Sequence, residues 1–172
     1  MIFQSLASSS SGNAYLVSDG HTNILIECGL THKKLQQMCH FQTTGFDGCI
    51  ISHEHKDHSQ AVKQLIQSGM DVYMSYGTAE ALELPEAVME LATEIVAGEQ
   101  FTIGTIDVMP FGTFHDAFRD RKSAFGGFGD AILVERQTDD GSAVFFDERE
   151  YRRHTLFFAV DGIYHWLAVV YP

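Results

Sequence analysis

The sequence predicts an α/β protein in which strands and helices pack in layers. Strand-like apolar runs alternate with helix-like segments as far as about residue 109, which is the pattern of layered α/β domains. Beyond that point helical periodicity is nearly absent, and strand-like runs follow one another. The 172 residues can bury a sizeable core, and an apolar fraction of 45% is ordinary for a globular protein. We therefore expect a single domain over residues 1–172.

In the first half, hydrophobic periodicity and turn residues define the elements. Asp19-Gly20 supplies a hairpin turn, Thr31 caps a helix, and Pro85 divides a later helical segment into two short helices. Strands are predicted over residues 1–7, 14–17, 24–26, 49–51 and 71–74, and helices over residues 32–39, 61–67 and 78–91.

The second half predicts strands. Gly104 is the hinge between the first two, and the segment from Pro110 to Ala117 leads off the end of the second into a polar stretch. The predicted strands cover residues 101–103, 105–109, 131–134, 143–146, 155–160 and 166–171.

The charge balance limits the classes of partner. The formal net charge of −12 argues against a basic surface for duplex DNA, because non-specific binding to duplexes depends on Lys and Arg. A phosphorylated substrate is compatible with this charge, since bound metal ions bring their own positive charge.

Cysteine usage and hydropathy predict a cytoplasmic protein. The three cysteines are an odd number without a CxxC pair, so neither a disulfide framework nor a cysteine zinc site is indicated. No signal peptide is recognisable at the N-terminus. The longest apolar run near the C-terminus is far shorter than the roughly 20 residues that a membrane span needs.

Three histidines and two carboxylates stand within six residues, in the segment His53-Glu54-His55-Lys56-Asp57-His58. The apolar run Cys49-Ile50-Ile51 precedes them and an amphipathic helical segment follows, so they lie on a turn between a strand and a helix. Neutral imidazoles together with carboxylates are the ligands of zinc, manganese or iron sites. A solvated polar loop is the alternative interpretation.

Further ligands must come from other strand ends, because one loop alone cannot surround a metal ion without distortion. His115 and Asp161 qualify, since each follows an apolar run. Taken alone, His115 is a structural or surface histidine, and Asp161 is a turn residue in Asp161-Gly162.

His53-x-His55-x-Asp57-His58 resembles the HxHxDH signature of metallo-β-lactamase-fold hydrolases. Residues 5–13 and 24–30 resemble the opening of small bacterial members related to exonucleases and cyclic-nucleotide phosphodiesterases. Residues 110–117 resemble the third motif of that group, and residues 156–161 resemble its fourth.

This resemblance implies an αββα sandwich with the ligands at one edge of its two sheets. It also implies hydrolysis through a metal-activated water, with Asp57 as a ligand that can orient the nucleophile. The implied cofactor is zinc, in one or two ions, with manganese or iron as alternatives. By residue match, the implied ligands are His53, His55 and His115 for one metal, Asp57 and His58 for a second, and Asp161 as a bridge.

Two departures from the family pattern bear on the prediction. Glu27 stands where the family has an aspartate that supports the histidine loop. Only eleven residues follow Asp161, without a helical stretch, so we expect a shortened second half. An uncovered apolar sheet face would then favour a homo-oligomer.

The sequence therefore predicts a metal-dependent hydrolase. The preferred activity is that of a phosphodiesterase acting on a nucleotide or a nucleic-acid end. Arg119, Arg121 and Lys122 can contact a phosphate, although a solvated charged loop explains each of them singly. The alternative is a truncated, non-catalytic or mononuclear metal-binding interaction module of the same fold.

Overall fold

The structure is a computed structural model that describes the backbone of residues 2–40, 45–114, 128–135, 143–147, 155–160 and 163–168, and the side chains of residues 2–40 and 45–110. The chain divides into two compact units, Met1–Ile95 and Val96–Pro172. Each unit contains a six-stranded sheet. The expectation of a single domain over residues 1–172 stays a prediction.

The first unit is built on a mixed sheet whose strands follow one another in the order of the sequence. The strands are β1 (Ile2–Ala7), β2 (Ala14–Ser18), β3 (Asn23–Ile26), β4 (Gly48–Ile50), β5 (Val72–Met74) and β6 (Thr93–Glu94). The pairs among β1, β2 and β3 are antiparallel, whereas β3, β4, β5 and β6 are parallel neighbours. Parallel neighbours need crossover connections, and these contain the helices.

The described residues of the first unit also form five short helices. They are α1 (His32–Met38), α2 (Lys56–Ser59), α3 (Val62–Gln67), α4 (Tyr76–Ala81) and α5 (Glu86–Met89). Thr31 caps α1 as predicted, because its side chain accepts a hydrogen bond from the Lys34 amide at 3.3 Å. Pro85 separates α4 from α5, which was also predicted. Among the residues that the structure describes, no helix is long and apolar enough to cross a membrane.

The core of the first unit surrounds β3 and β4. Ile24, Leu25, Cys49 and Ile50 are all fully buried, which is the pattern of strands covered on both faces. Leu35 of α1, and Val62 and Leu65 of α3, belong to the buried residues of this unit. The segment that follows β4 is therefore attached to a closely packed part of the core.

The second unit contains an antiparallel sheet in which consecutive strands are neighbours. Its strands are β7 (Phe101–Ile103), β8 (Ile106–Phe114), β9 (Phe128–Glu135), β10 (Ala143–Asp147), β11 (Thr155–Val160) and β12 (Ile163–Ala168). The predicted strand over residues 155–160 has the observed bounds.

The structure corrects the sequence prediction at several elements, among them α2, which was not predicted, and β9, which begins at Phe128 rather than at residue 131. Pro110 does not lead off a strand end, because β8 continues to Phe114 and Pro110 lies opposite Ile132. The pairing of β7 with β8 reaches only Val108, so Pro110 stands where its missing N–H is not needed. β12 begins at Ile163, opposite Val160, rather than at residue 166. β6 was missed because two residues carry no periodicity.

Candidate metal centre

The histidine segment follows the carboxyl end of β4 at Ile50 and runs into α2, so that His53 and His55 precede the helix whereas Asp57 and His58 lie within it. The sequence predicted a turn between a strand and a helix here, but it did not predict that α2 already begins at Lys56, within the segment. His53 and His58 are buried, with exposures of 3% and 7%, whereas His55 and Asp57 are half-buried. The loop therefore keeps two histidines inside the protein and leaves one histidine and one carboxylate accessible.

The three imidazole rings are brought together. The ring centroids of His53 and His58 are 4.2 Å apart, and those of His53 and His55 are 4.7 Å apart. Rings at these separations can direct nitrogen atoms towards a common centre.

Asp57 and His58 place two ligand-type atoms side by side. The distance between Asp57 Oδ2 and His58 Nε2 is 3.4 Å. With metal–ligand bonds of about 2.1 Å, two ligands on one tetrahedral zinc ion lie roughly 3.4 Å apart. The pair therefore has the spacing that a shared metal ion requires. Within the described residues, no three His, Cys, Asp or Glu side chains form a complete metal-binding group.

The hydrogen bonds of His58 identify its tautomer. The Asn13 side-chain Nδ2 lies 3.2 Å from His58 Nε2. An amide nitrogen can only donate, so Nε2 carries the lone pair and the ring proton lies on Nδ1. Nδ1 in turn faces Glu27 Oε1 at 3.7 Å. The nitrogen beside Asp57 is therefore the one that can ligate a metal.

Ser52 supports His53 in a comparable manner. Its hydroxyl oxygen lies 2.8 Å from His53 Nδ1. Coordination through Nε2 needs the proton on Nδ1, and the Ser52 hydroxyl can accept that hydrogen bond. Ser52 is itself buried, so this contact is shielded from competing water.

Glu27 provides a test of whether a cation fits. Its side chain is fully buried, and its Oε1 accepts a hydrogen bond from the Ser52 amide at 3.3 Å. Its Oε2 has no hydrogen-bond partner among the described residues. A buried carboxylate is costly without a compensating positive charge, so a bound cation suits this environment. The residue also has a φ of 64°, an uncommon value for a non-glycine residue that places its carboxylate directly after β3.

The backbone of the loop is fixed by distant segments. The Asp57 carbonyl accepts a hydrogen bond from the Asn13 amide at 2.8 Å, and the His58 carbonyl accepts one from the Cys28 amide at 2.7 Å. Gly29 allows this approach, because a Cβ atom at that position would overlap the Asp57 carbonyl group. The backbone at Asp57 and His58 is thus held by Asn13, directly before β2, and by Cys28, after β3.

Two predicted ligands, His115 and Asp161, lie outside the described residues. The three cations at 119, 121 and 122 lie outside them as well. Their assignment to the site therefore rests on the sequence alone.

The cysteines are free thiols, and two of them lie near the site. Cys28 and Cys49 are buried, and Cys39 is half-buried. Burial raises the pKa of the Cys49 thiol well above its ordinary value, and the neighbouring Cys28 raises that pKa further. Cys49 therefore stays protonated near neutral pH and does not offer the thiolate that a metal binds.

The structure adds three residues that the sequence prediction did not place in the site. Asn13 contacts His58, Ser52 contacts His53, and Gly29 makes room for the loop. Their sequence signals are weak. Each is a small or polar residue in a turn or at a strand end, a composition that ordinary turns share.

A scan against protein families matches residues 22–158 to the family described as "Beta-lactamase superfamily domain". Exodeoxyribonuclease WalJ of Streptococcus pneumoniae is 32% identical over 120 residues, covering 65% of this chain and 45% of that protein. Exodeoxyribonuclease YycJ of Bacillus anthracis is 28% identical over 131 residues, covering 72% of this chain and 49% of that protein. The chain thus spans about half the length of these relatives.

Solved structures share the fold. The metallo-beta-lactamase fold protein YhfI from Bacillus subtilis matches with a TM-score of 0.61 and 17% identity, covering 85% of this chain and 61% of that chain. A metallo-beta-lactamase of Cronobacter sakazakii matches with a TM-score of 0.58 and 17% identity, covering 80% of this chain and 58% of that chain. At this identity the likeness concerns the fold alone, and it confirms the predicted fold class.

Proposed function

Because the family match covers residues 22–158, the chain belongs to the beta-lactamase superfamily, and on that premise we propose that it is a metal-dependent hydrolase of phosphodiesters. The preferred substrate is a nucleotide or the end of a nucleic acid. The preferred metal is zinc, with manganese or iron as alternatives, because the donor set combines imidazoles with carboxylates.

The observation that carries this proposal is the arrangement of Asp57 beside His58. A carboxylate oxygen and an imidazole lone pair lie 3.4 Å apart at the end of β4. The His53 ring lies beside the His58 ring, and the His55 ring lies beside that of His53. A solvated polar loop would not bury two of its three histidines around a buried carboxylate.

In the proposed site, the described ligands are His53, His55, Asp57 and His58. His115 and Asp161 are proposed to complete the coordination. A bound divalent cation supplies positive charge that acidifies a water molecule and stabilises the oxygens of the attacked phosphate. Asp57, which is half-buried, has an accessible carboxylate that can also orient the attacking water. His53 and His58 are buried, so their side chains are held in place by the surrounding protein.

The preference for a nucleic-acid end rests on two supports. The relatives WalJ and YycJ are named exodeoxyribonucleases. The net charge of −12 does not favour an extended contact with duplex phosphates, so a nucleotide or a strand end is the better match.

The test combines elemental analysis with hydrolysis of bis-p-nitrophenyl phosphate. We expect bound zinc in the wild type, and we expect both metal content and turnover to be lost in His55→Ala and Asp57→Ala. His21→Ala and Asp71→Ala are matched controls, since both residues are exposed and distant in sequence from the loop. If His55→Ala and Asp57→Ala keep wild-type metal and activity, the site assignment is wrong.

The alternative, a non-catalytic or mononuclear interaction module, predicts a different outcome of the same test. It predicts at most one metal ion per chain and no hydrolysis by the wild type. About two metal ions per chain with measurable turnover supports the hydrolase. End-labelled single-stranded and duplex oligodeoxynucleotides then distinguish a nuclease from a phosphodiesterase that acts on small nucleotides.

Homo-oligomerisation and a cytoplasmic location remain predictions. Size-exclusion chromatography with light scattering tests the first, and a well-behaved monomer would contradict it. Fractionation of cells that express the full-length protein tests the second.

A further inference from the structure

We propose that Asn13 is a substrate-binding residue of the candidate metal centre, and that its side-chain amide donates a hydrogen bond to an anionic oxygen of the substrate phosphate. This inference rests on the proposed function, because it requires a metal ion on His58. Asn13 is nearly fully buried, with an exposure of 5%, and it ends the serine-rich loop between β1 and β2.

The orientation of the Asn13 amide is determined by its partners. Its Oδ1 accepts hydrogen bonds from the Ser9 amide at 3.2 Å and from the Tyr15 hydroxyl at 3.3 Å. Its Nδ2 donates to the Asp57 carbonyl at 3.3 Å. A backbone amide can only donate and a carbonyl can only accept, so the oxygen and nitrogen of the side chain cannot be exchanged.

The second Nδ2 hydrogen is directed at the candidate site. It points to His58 Nε2, which lies 3.2 Å from Nδ2 and 3.4 Å from Asp57 Oδ2. An imidazole nitrogen has one lone pair, which can accept this hydrogen bond or bind a metal, but not both. Metal binding at His58 therefore removes the acceptor of this hydrogen.

Asn13 has little freedom to turn away once that acceptor is lost. Three other hydrogen bonds hold its side chain, and Tyr15, which supplies one of them, is buried and stacks on Phe3 with ring centroids 5.6 Å apart. The N–H group therefore stays directed towards the position of the cation.

An anionic oxygen resolves this conflict. An N–H group directed at a cation is repelled, and a buried donor without an acceptor is unfavourable. A phosphate oxygen that lies beside the cation contacts both, because it accepts the hydrogen bond and is attracted by the positive charge. The same geometry does not favour a neutral substrate to the same degree.

The test uses wild type, Asn13→Asp and Asn13→Ala, with zinc content, inorganic phosphate affinity and steady-state hydrolysis of bis-p-nitrophenyl phosphate as readouts. Asn13→Asp keeps the shape of the side chain and replaces the donor with a carboxylate. We expect both variants to bind zinc at the wild-type stoichiometry. We expect phosphate affinity and kcat/KM to fall about tenfold in Asn13→Ala and further in Asn13→Asp. Asn23→Asp, the same substitution at the start of β3, is the control and should leave all three readouts unchanged.

A measurement on the wild type keeps the inference testable if the variants fail to fold. The side-chain amide resonances of Asn13 should shift when zinc is added to ¹⁵N-labelled protein and shift again when inorganic phosphate is added. Amide resonances that ignore phosphate, or zinc-loaded Asn13→Asp that binds phosphate as tightly as the wild type, would overturn the inference alone. A wild type that binds no metal would overturn the proposed function and the inference with it.

Discussion

The turns after β4 and β5 leave the same edge of one sheet but are stabilised differently. Because the two strands are parallel neighbours, their carboxyl ends lie at the same edge. The turn after β5 is a single residue, Ser75, which caps α4 by accepting a hydrogen bond from the Thr78 amide at 3.2 Å. The turn after β4 contains His53 and ends at His55, the residue before α2, and α2 has no side-chain cap.

The difference lies in where the hydrogen bonds come from. Ser75 satisfies its helix start with atoms three residues away. In α2 the Asp57 and His58 carbonyls accept hydrogen bonds from the distant backbone amides of Asn13 and Cys28. These bonds hold α2 in place, and because no side chain caps its start, Asp57 and His58 remain available for chemistry. The serine after β5 therefore serves the fold, whereas the uncapped and remotely anchored start of α2 can present side chains for a site.

The largest expected effect comes from filling the space between the histidine loop and the segment after β3. Gly29→Ala should lower the free energy of unfolding by more than about 4 kcal/mol, or prevent folding, because its Cβ would overlap the Asp57 carbonyl. Gly77→Ala in α4 is the control. A Cβ there meets no atom within 4 Å, and alanine should stabilise the helix by up to about 1 kcal/mol. Urea denaturation measures both. A Gly29→Ala variant with wild-type stability would show that the close approach is not maintained in solution.

A smaller effect is expected from replacing Ser52, which follows β4, or Ser75, which follows β5, and the two substitutions should differ in what they change. Ser52→Ala should weaken zinc binding about 10- to 100-fold, because it removes the hydrogen-bond partner 2.8 Å from His53 Nδ1. Ser75→Ala should leave zinc binding unchanged and cost about 1 kcal/mol of stability through the lost cap. Competition with a chelating indicator measures the affinity. Equal losses of zinc affinity in the two variants would contradict the assignment of Ser52 to the metal centre and of Ser75 to the cap of α4.

The smallest effect concerns pH and compares β4 with β5. Burial raises the pKa of the Cys49 thiol on β4 well above its ordinary value of 9.0. The unfolded chain releases this proton first, so the free energy of unfolding should fall as pH rises above about 9, by about 1 kcal/mol between pH 8 and 9.5. On β5, burial and Asp71 raise the pKa of Tyr73 from 10.0, so any loss from Tyr73 begins at higher pH.

Urea denaturation at several pH values measures this slope. Cys49→Ala should flatten it between pH 8 and 9.5, although the smaller side chain lowers stability at pH 7. Tyr73→Phe is the comparison variant and should leave the slope unchanged in that range. An unaltered slope in Cys49→Ala would show that another group is responsible.

The sequence by itself determined the fold class, the family and the position of the histidine segment. These features are local or repeated signals. Apolar periodicity gives strands and helices, Thr31 and Pro85 mark helix boundaries, and the His53–His58 segment places three histidines and two carboxylates within six residues. Local signals predicted strand ends poorly where the pairing with a neighbouring strand determines them. Neither the extension of β8 to Phe114 nor the start of β12 at Ile163 was predicted, because both depend on a partner strand.

The tertiary structure alone decided which nitrogen of His58 faces Asp57, why residue 29 is glycine, and that Asn13 reaches the site. Each depends on residues that are 28 or more positions apart in the chain meeting in space, such as the Asn13 amide and the Asp57 carbonyl at 2.8 Å. No local pattern encodes such a meeting. The histidine segment is recognisable in the sequence, but the contacts that orient it form only when β1, β3 and β4 are assembled in one sheet.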